Sequence, residues 1–250
     1  MTLCAATSVN VPATVRALQQ SMQQIGFGRC LLLTDAAAPT DDPRIEIVPI
    51  PRIASGRAYS DFLLTQLGDF VETSHCLVVQ WDGFVIDGRC WDPAFLDCDY
   101  IGAPWPQFGD GHEVGNGGFS LRSRKLLEAC RDPAFRIVHP EDVAICRVNR
   151  DMLEQEHGIR FADRRTAERF AFERGAVAGP TLGFHGVFNM IPLLGAERFW
   201  NLYRGLDERS TAFVDYRLLM RQLGVRGGGG ASWLRRLRFT TDRIAALAGR

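Results

Sequence analysis

Short apolar runs alternate with helical periodicity along the first part of the chain. Leu3 to Thr7 is an apolar strand segment that ends in Ser8-Val9-Asn10. Pro12 suits the first turn of a helix running to about Gln24, closed by Gly26 and Gly28. Arg29 to Thr34 predicts a second strand ending at Asp35, and Ile45 to Ile50 a third, stopped by Pro49 and Pro51. From Tyr59 to about Val71, Phe62, Leu63, Leu67 and Phe70 share one helical face. Cys76 to Gln80 is the fourth strand, and it runs directly into Trp81-Asp82-Gly83.

Strands that alternate with helices and read as continuous apolar runs belong to a mainly parallel sheet covered on both faces. The expected fold class is therefore α/β and Rossmann-like. In such sheets, ligands bind beyond the carboxyl ends of the strands. Those ends carry Ser8 and Asn10, Asp35, and Gln80 with Asp82, all expected on one rim.

Past the fourth strand the pattern is irregular and rich in glycine, proline and aromatics, with tryptophans at 81, 91 and 105. A long loop this aromatic inside a compact domain suggests function rather than disorder. Leu121 to Ala129 and Asp142 to Glu156 read as helices, Ile159 to Ala162 and Thr181 to Phe184 as strands, and 196–204 and 207–222 as helices. The expected division is one domain over 1–225, then a flexible Gly-rich linker at 226–230 and a basic amphipathic tail to residue 250.

Composition narrows the classes. The formal net charge of +0 gives no electrostatic reason to expect a nucleic-acid partner, so an anionic substrate needs local groups to hold it. The seven cysteines are scattered without CxxC spacing, as in reduced thiols of a cytoplasmic protein. No apolar run approaches the roughly 18 residues of a membrane span. The N-terminus lacks the basic-then-apolar order of a secretory signal. The tail sets Trp233, Leu234 and Leu237 among Arg235, Arg236 and Arg238, a pattern suited to an anionic membrane surface or to packing on the domain.

Four constellations carry chemistry. Asp82 ends a buried strand, where a carboxylate either caps a turn or joins diphosphate oxygens around a hard cation. Gly115-Asn116-Gly117-Gly118-Phe119-Ser120 places three glycines where something must approach the backbone closely, but lacks the P-loop lysine. His139-Pro140-Glu141-Asp142 sets an acidic pair at a helix start, either as capping or as a general base. His185, between Phe184 and Gly186 after a strand, is placed to ligate a metal such as Mn²⁺.

Taken together, these segments resemble the GT-A glycosyltransferases that use nucleotide-sugar donors. More closely, the run from Gln80-Trp81-Asp82 through Tyr100-Ile101-Gly102-Ala103-Pro104-Trp105 to the glycine-rich segment resembles a bacterial family of domains of unknown function associated with surface-polysaccharide glycosyltransferases. The close match spans about residues 60–190. One departure stands out: the superfamily's Asp-x-Asp is here Gln80-Trp81-Asp82, with the amide in the first position.

The resemblance implies a cytoplasmic, metal-dependent transferase of polysaccharide synthesis, peripheral at the inner membrane face through its tail. Asp82 and His185 would hold Mn²⁺ or Mg²⁺ on the donor. Thr7, Ser8, Asp35, Gln80 and Asp82 would bind the nucleotide-sugar. Trp105, Gly117, Gly118 and Phe119 would face a glycan or lipid-linked saccharide acceptor. Asp142, or else Glu141, would be the base of an inverting transfer. The rival from another class is a non-catalytic carbohydrate- or nucleotide-binding domain on the same fold, with Gln80 as the mark of lost catalysis. A hydrolase lacks its G-x-S-x-G elbow, and a zinc site from His75, Cys76, Cys90 and Cys98 lacks paired ligand spacing.

Overall fold

A computed structural model describes residues 1–38, 40–175, 179–226 and 229–248, with side-chain burial undescribed at 226 and 229–231. The chain forms two compact units, Met1–His185 and Gly186–Arg250. In the first, β1 (Thr2–Ala6), β2 (Arg29–Thr34), β3 (Ile45–Pro49) and β4 (His75–Val79) match the apolar runs to within a residue or two. Between them lie α1 (Val11–Gln24) and α2 (Gly56–Thr65). The latter is shorter than its periodicity suggests, because the chain tightens into a 3₁₀ turn at Leu67–Asp69.

The sheet has six strands in the order β3-β2-β1-β4-β6-β5, completed by β5 (Tyr100–Ile101) and β6 (Phe119–Ser123). β1 pairs in parallel with both β2 and β4, and β6 alone runs against its neighbours. The α/β class, mainly parallel with helices on both faces, is as expected. Strand side chains alternate between two cores, as the period of two requires. Leu3, Ala5, Leu32, Leu77 and Val79 pack with Val15 and Leu18 of α1. Cys4, Ala6, Leu31, Leu33, Cys76 and Val78 pack with Phe62 and Leu63 of α2.

Residues 119–123 are strand, not helix; the helix α3 starts only at Arg124 and runs to Ala129. Pairing with β4 overrides the helical spacing: Val79 lies opposite Phe119 and His75 opposite Ser123. The reversal also brings the glycine-rich segment before Phe119 to the carboxyl end of β4. The helix expected over 142–156 breaks into α4 (Glu141–Val143), a π turn at 144–148 and α5 (Arg150–Gln155). In place of a strand at 159–162 there is one bridge, Phe161 to Tyr100. Helix α6 (Arg164–Phe170) leads to β7 (Ala171–Phe172), which pairs with β8 (Gly183–Phe184).

The second unit is helical: α7 (Val187–Leu194), α8 (Ala196–Arg204), α9 (Tyr216–Arg226) and α10 (Gly229–Ala248). The contacts divide after His185 rather than at 225, and the basic tail is the helix α10 of this unit. Part of the expected linker, 227 and 228, lies outside the described residues. All seven cysteines are free thiols. Among the described residues no helix is long and apolar enough to cross a membrane.

Leu32 sits at the centre of β2 with no exposure. Leu32→Ala is expected to cost about 2–5 kcal/mol, read as a shifted midpoint in chemical denaturation.

Candidate active site

The apolar strand β4 ends because the chain turns. Gln80 N–H donates to Gly83 O at 3.1 Å and Gly83 N–H to Gln80 O at 3.0 Å, which sets Trp81 and Asp82 at the tip. Asp82 is buried. Gly83 is required by crowding: a Cβ there would lie 2.8 Å from His185 Cδ2 and 3.1 Å from the Phe184 carbonyl. The short strand β8 delivers His185 to this turn, held by the bridge between Val85 and Gly183 and by His185 N–H donating to Phe172 O at 3.0 Å.

His185 Nε2 stands 3.7 Å from Asp82 Oδ1 and 3.3 Å from Gln80 Oε1, while Nδ1 lies 3.2 Å from Glu173 Oε1. Burial opposes a charged imidazole, but the Asp82 carboxylate, the Glu173 hydrogen bond and the charges of Glu173 and Asp142 outweigh it. Its pKa is pushed up to about 9. A histidine with one nitrogen on a carboxylate and the other among oxygen donors has the form of a metal ligand with its orienting partner. Asp82 Oδ1, Gln80 Oε1 and, once its proton is given up, His185 Nε2 could hold a divalent cation, and the amide makes this a weakly charged set. Among the described residues, no three His, Cys, Asp or Glu side chains are grouped to hold a metal by themselves.

The glycine-rich segment and the acidic pair meet beside this turn. Asn116 adopts φ 66°, a left-handed conformation that asparagine tolerates, and its Oδ1 accepts from Gly118 N–H at 3.1 Å. A Cβ on Gly117 would strike the Glu141 carboxylate, and one on Gly118 the His185 ring. The close approach foreseen in the sequence is thus made by the protein's own catalytic candidates.

Glu141 is buried and paired at 3.0 Å with Arg122 Nη2, a side chain with no exposure. Arg122 Nε donates to Ser120 Oγ at 3.0 Å, and Ser120 Oγ in turn to Gly117 O at 3.0 Å. Burial weakens the guanidinium's hold on its proton, but Glu141 overrides this and Arg122 stays charged. From α2, Ser60 Oγ receives the Glu141 N–H at 3.1 Å and lies 2.8 Å from His139 Nδ1.

Asp142 is fixed at both oxygens: Gly117 N–H donates to Oδ2 at 3.1 Å and Val143 N–H to Oδ1 at 2.8 Å. Burial and the neighbouring Glu141 charge raise its pKa above the usual carboxylate range, against those two N–H groups and Arg122. A carboxylate with a raised pKa at the mouth of a cleft is suited to take a proton.

These groups surround a cleft of about 220 Å³. Of the residues singled out from the sequence, Gln80, Gly117, Gly118, Glu141, Asp142 and His185 line it, and Asp82 stands behind His185. Thr7 and Ser8 follow β1, where Ser8 Oγ accepts from Ile53 N–H at 2.8 Å, and Asp35 is exposed beyond β2. These three are on the expected rim but do not line the cleft. Nor do Trp105 and Phe119. Phe119 has no exposure and packs on Phe170 with ring centroids 5.1 Å apart; Trp105 is buried edge-on to Phe108.

Sequence reasoning missed Glu173, Tyr59, Ser60 and Arg122. Glu173 lies in no motif. Arg122 did carry a signal, because a lone arginine inside a buried strand demands a buried acid.

Removing the guanidinium alone would strand Glu141. Arg122→Met is expected to destabilise the fold by about 3–5 kcal/mol, and Arg122→Met with Glu141→Gln by clearly less, read as a double-mutant cycle in urea.

The residues 43–185, more than half of the chain, match the family model described as a protein of unknown function, DUF5672. No curated protein matches. Similar solved structures include the galactosyltransferase LgtC with donor and acceptor sugar analogues, at 13% identity and TM-score 0.47, covering 86% of this chain and 99% of that one. An active-site mutant of LgtC gives 13% identity, TM-score 0.49 and the same coverage. The apo form of the glycosyltransferase GlyE from Streptococcus pneumoniae TIGR4 gives 14% identity and TM-score 0.44, covering 74% of this chain and 53% of that one. At such identities and TM-scores these likenesses add no weight to a functional reading. Family membership rests on the model match: the chain belongs to the DUF5672 family of proteins of unknown function.

Proposed function

We propose that the first unit is a glycosyltransferase that moves a sugar from a nucleotide-sugar donor to a hydroxyl acceptor. One observation carries this reading: His185 and Gln80, with Asp82 3.7 Å behind the imidazole, share one cleft at the carboxyl end of β4 with Asp142, a largely buried carboxylate of raised pKa. The cleft lies beyond the carboxyl end of β4, beside the glycine-rich segment that leads into β6; ligands of such sheets bind at that end of the strands. Asp82, His185 and Gln80 would hold Mn²⁺ or Mg²⁺, which supplies charge neutralisation for a departing diphosphate.

Asp142 would take the acceptor hydroxyl's proton. Its orientation is set by Gly117 and Val143 N–H, so one lone pair on each oxygen remains for the substrate. Glu141 is committed to Arg122, which leaves Asp142 as the base if the transfer proceeds with inversion at the sugar. Glu173 would keep the His185 ring oriented. Thr7, Ser8 and Asp35 lie on the rim where the nucleoside of an extended donor would continue. The acceptor would be a glycan or lipid-linked saccharide of a surface polysaccharide.

A second reading is favoured by Gln80 and by the lack, among the described residues, of a three-member acidic or histidine group. On that reading the cleft binds a nucleotide or carbohydrate without turning it over. Release of nucleoside diphosphate from a panel of nucleotide-sugars with Mn²⁺ separates the two. Turnover is expected, and binding without turnover across the panel selects the second reading.

Two outcomes follow from the geometry. Asp142→Asn is expected to lower kcat/KM by about 10²–10⁴-fold with the fold retained by circular dichroism. In the parent chain the base must be ionised, so activity falls as pH drops through the raised Asp142 pKa. The acid limb of the rate profile is therefore expected above the ordinary carboxylate range, and absent from Asp142→Asn.

A further inference from the structure

The second unit holds a cavity larger than the cleft, about 670 Å³, and four arginines line it: Arg204, Arg209, Arg235 and Arg238. Its one acidic lining residue, Asp242, is already bonded to Arg209 Nη1 at 3.2 Å, Arg238 Nε at 2.9 Å and the Tyr203 hydroxyl at 3.0 Å. Arg204 donates to the Asn201 amide oxygen at 2.9 Å, and its own carbonyl accepts from Arg209 Nη2 at 3.1 Å. The pocket lining thus sets four arginines against one carboxylate.

The rotation of α10 about its axis decides what adjoins this pocket. Phe239 has no exposure and is held among the rings of Tyr203, Phe213 and Tyr216 at centroid distances of 5.3, 5.5 and 5.4 Å. Thr240 Oγ1 lies 2.7 Å from the Tyr216 hydroxyl. With Phe239 inward, the opposite side carries Trp233, Leu237 and Ile244 in line, exposed by 63%, 47% and 60%. Leu234 and Leu247 lie alongside, equally open. At 100° per residue, Arg238 falls on the pocket flank of this stripe, Arg236 and Arg243 on the other, and Arg235 on the far side of the helix near Phe239. Among the described residues no helix, α10 included, is long and apolar enough to cross a membrane.

We propose that the arginine pocket and the apolar stripe form one site for an anionic phospholipid surface. The pocket arginines take headgroup phosphate oxygens, for which the guanidinium fork is shaped, and the stripe enters the interfacial layer. Charge complementarity selects the bilayer: the apolar row runs along the helix axis with cations on both sides, as an anionic headgroup plane requires. This inference does not rest on the reading of the first unit.

Co-sedimentation of the full chain with vesicles tests it, comparing phosphatidylcholine alone with phosphatidylcholine plus phosphatidylglycerol. Partition is expected only into the anionic vesicles and is expected to weaken with salt. R204Q with R238Q is expected to lower it about 25-fold, at about fivefold per arginine. R198Q with R221Q removes the same charge from outside the pocket and should change it less than about threefold. Equal thermal midpoints for the two double variants show that each is folded. Leu237→Ser with Ile244→Ser should lower partition at every salt concentration. Equal losses from both arginine pairs, equal partition into neutral vesicles, or partition into neither would overturn the proposal.

Discussion

The buried pair of Arg122 and Glu141 fixes the site on which the rest of the first unit converges. Arg122 has no exposure and Glu141 very little, and the two are paired at 3.0 Å. Arg122 stands on β6 and Glu141 opens α4, so the pair ties the sheet to the acidic segment. Through Ser120 the guanidinium also reaches the Gly117 carbonyl. The same peptide chain then offers Gly117 N–H to Asp142. One ion pair thus sets the backbone that positions the candidate base.

This arrangement divides the labour between adjacent acids. Glu141 is neutralised by a full cation and held by Ser60, whereas Asp142 has only two backbone N–H groups and a more distant guanidinium. Desolvation therefore raises the second carboxyl while the first stays committed to structure. Two acids next to each other in sequence acquire different chemistry because their partners differ. The glycines follow from the same crowding, since Gly117 and Gly118 leave room for Glu141 and His185.

Much of this was legible. The β1–β4 runs, the shared rim, Asp82, His185 and the acidic pair all stand in the sequence as local patterns, because strand burial and turns are written in neighbouring residues. Phe119 and Trp105, expected at the acceptor wall, are buried and do not line the cleft; aromatic character alone does not say which way a ring faces. The helix expected from Leu121 starts only at Arg124, because Phe119–Ser123 is committed to pairing with β4. Glu173 was invisible because its partner, His185, lies across a separate two-stranded sheet.

The sequence by itself determined the α/β class, the polar rim and which residue types could do chemistry, since these depend on period and local turns. Only the tertiary structure decided which of those residues meet. The antiparallel return of β6 carries the glycine-rich segment to β4, β8 brings His185 against Gln80 and Asp82, and the buried arginine chooses Glu141 over Asp142. Such choices are made by desolvation and contact between distant segments, and neither is written in the spacing of neighbours along a chain.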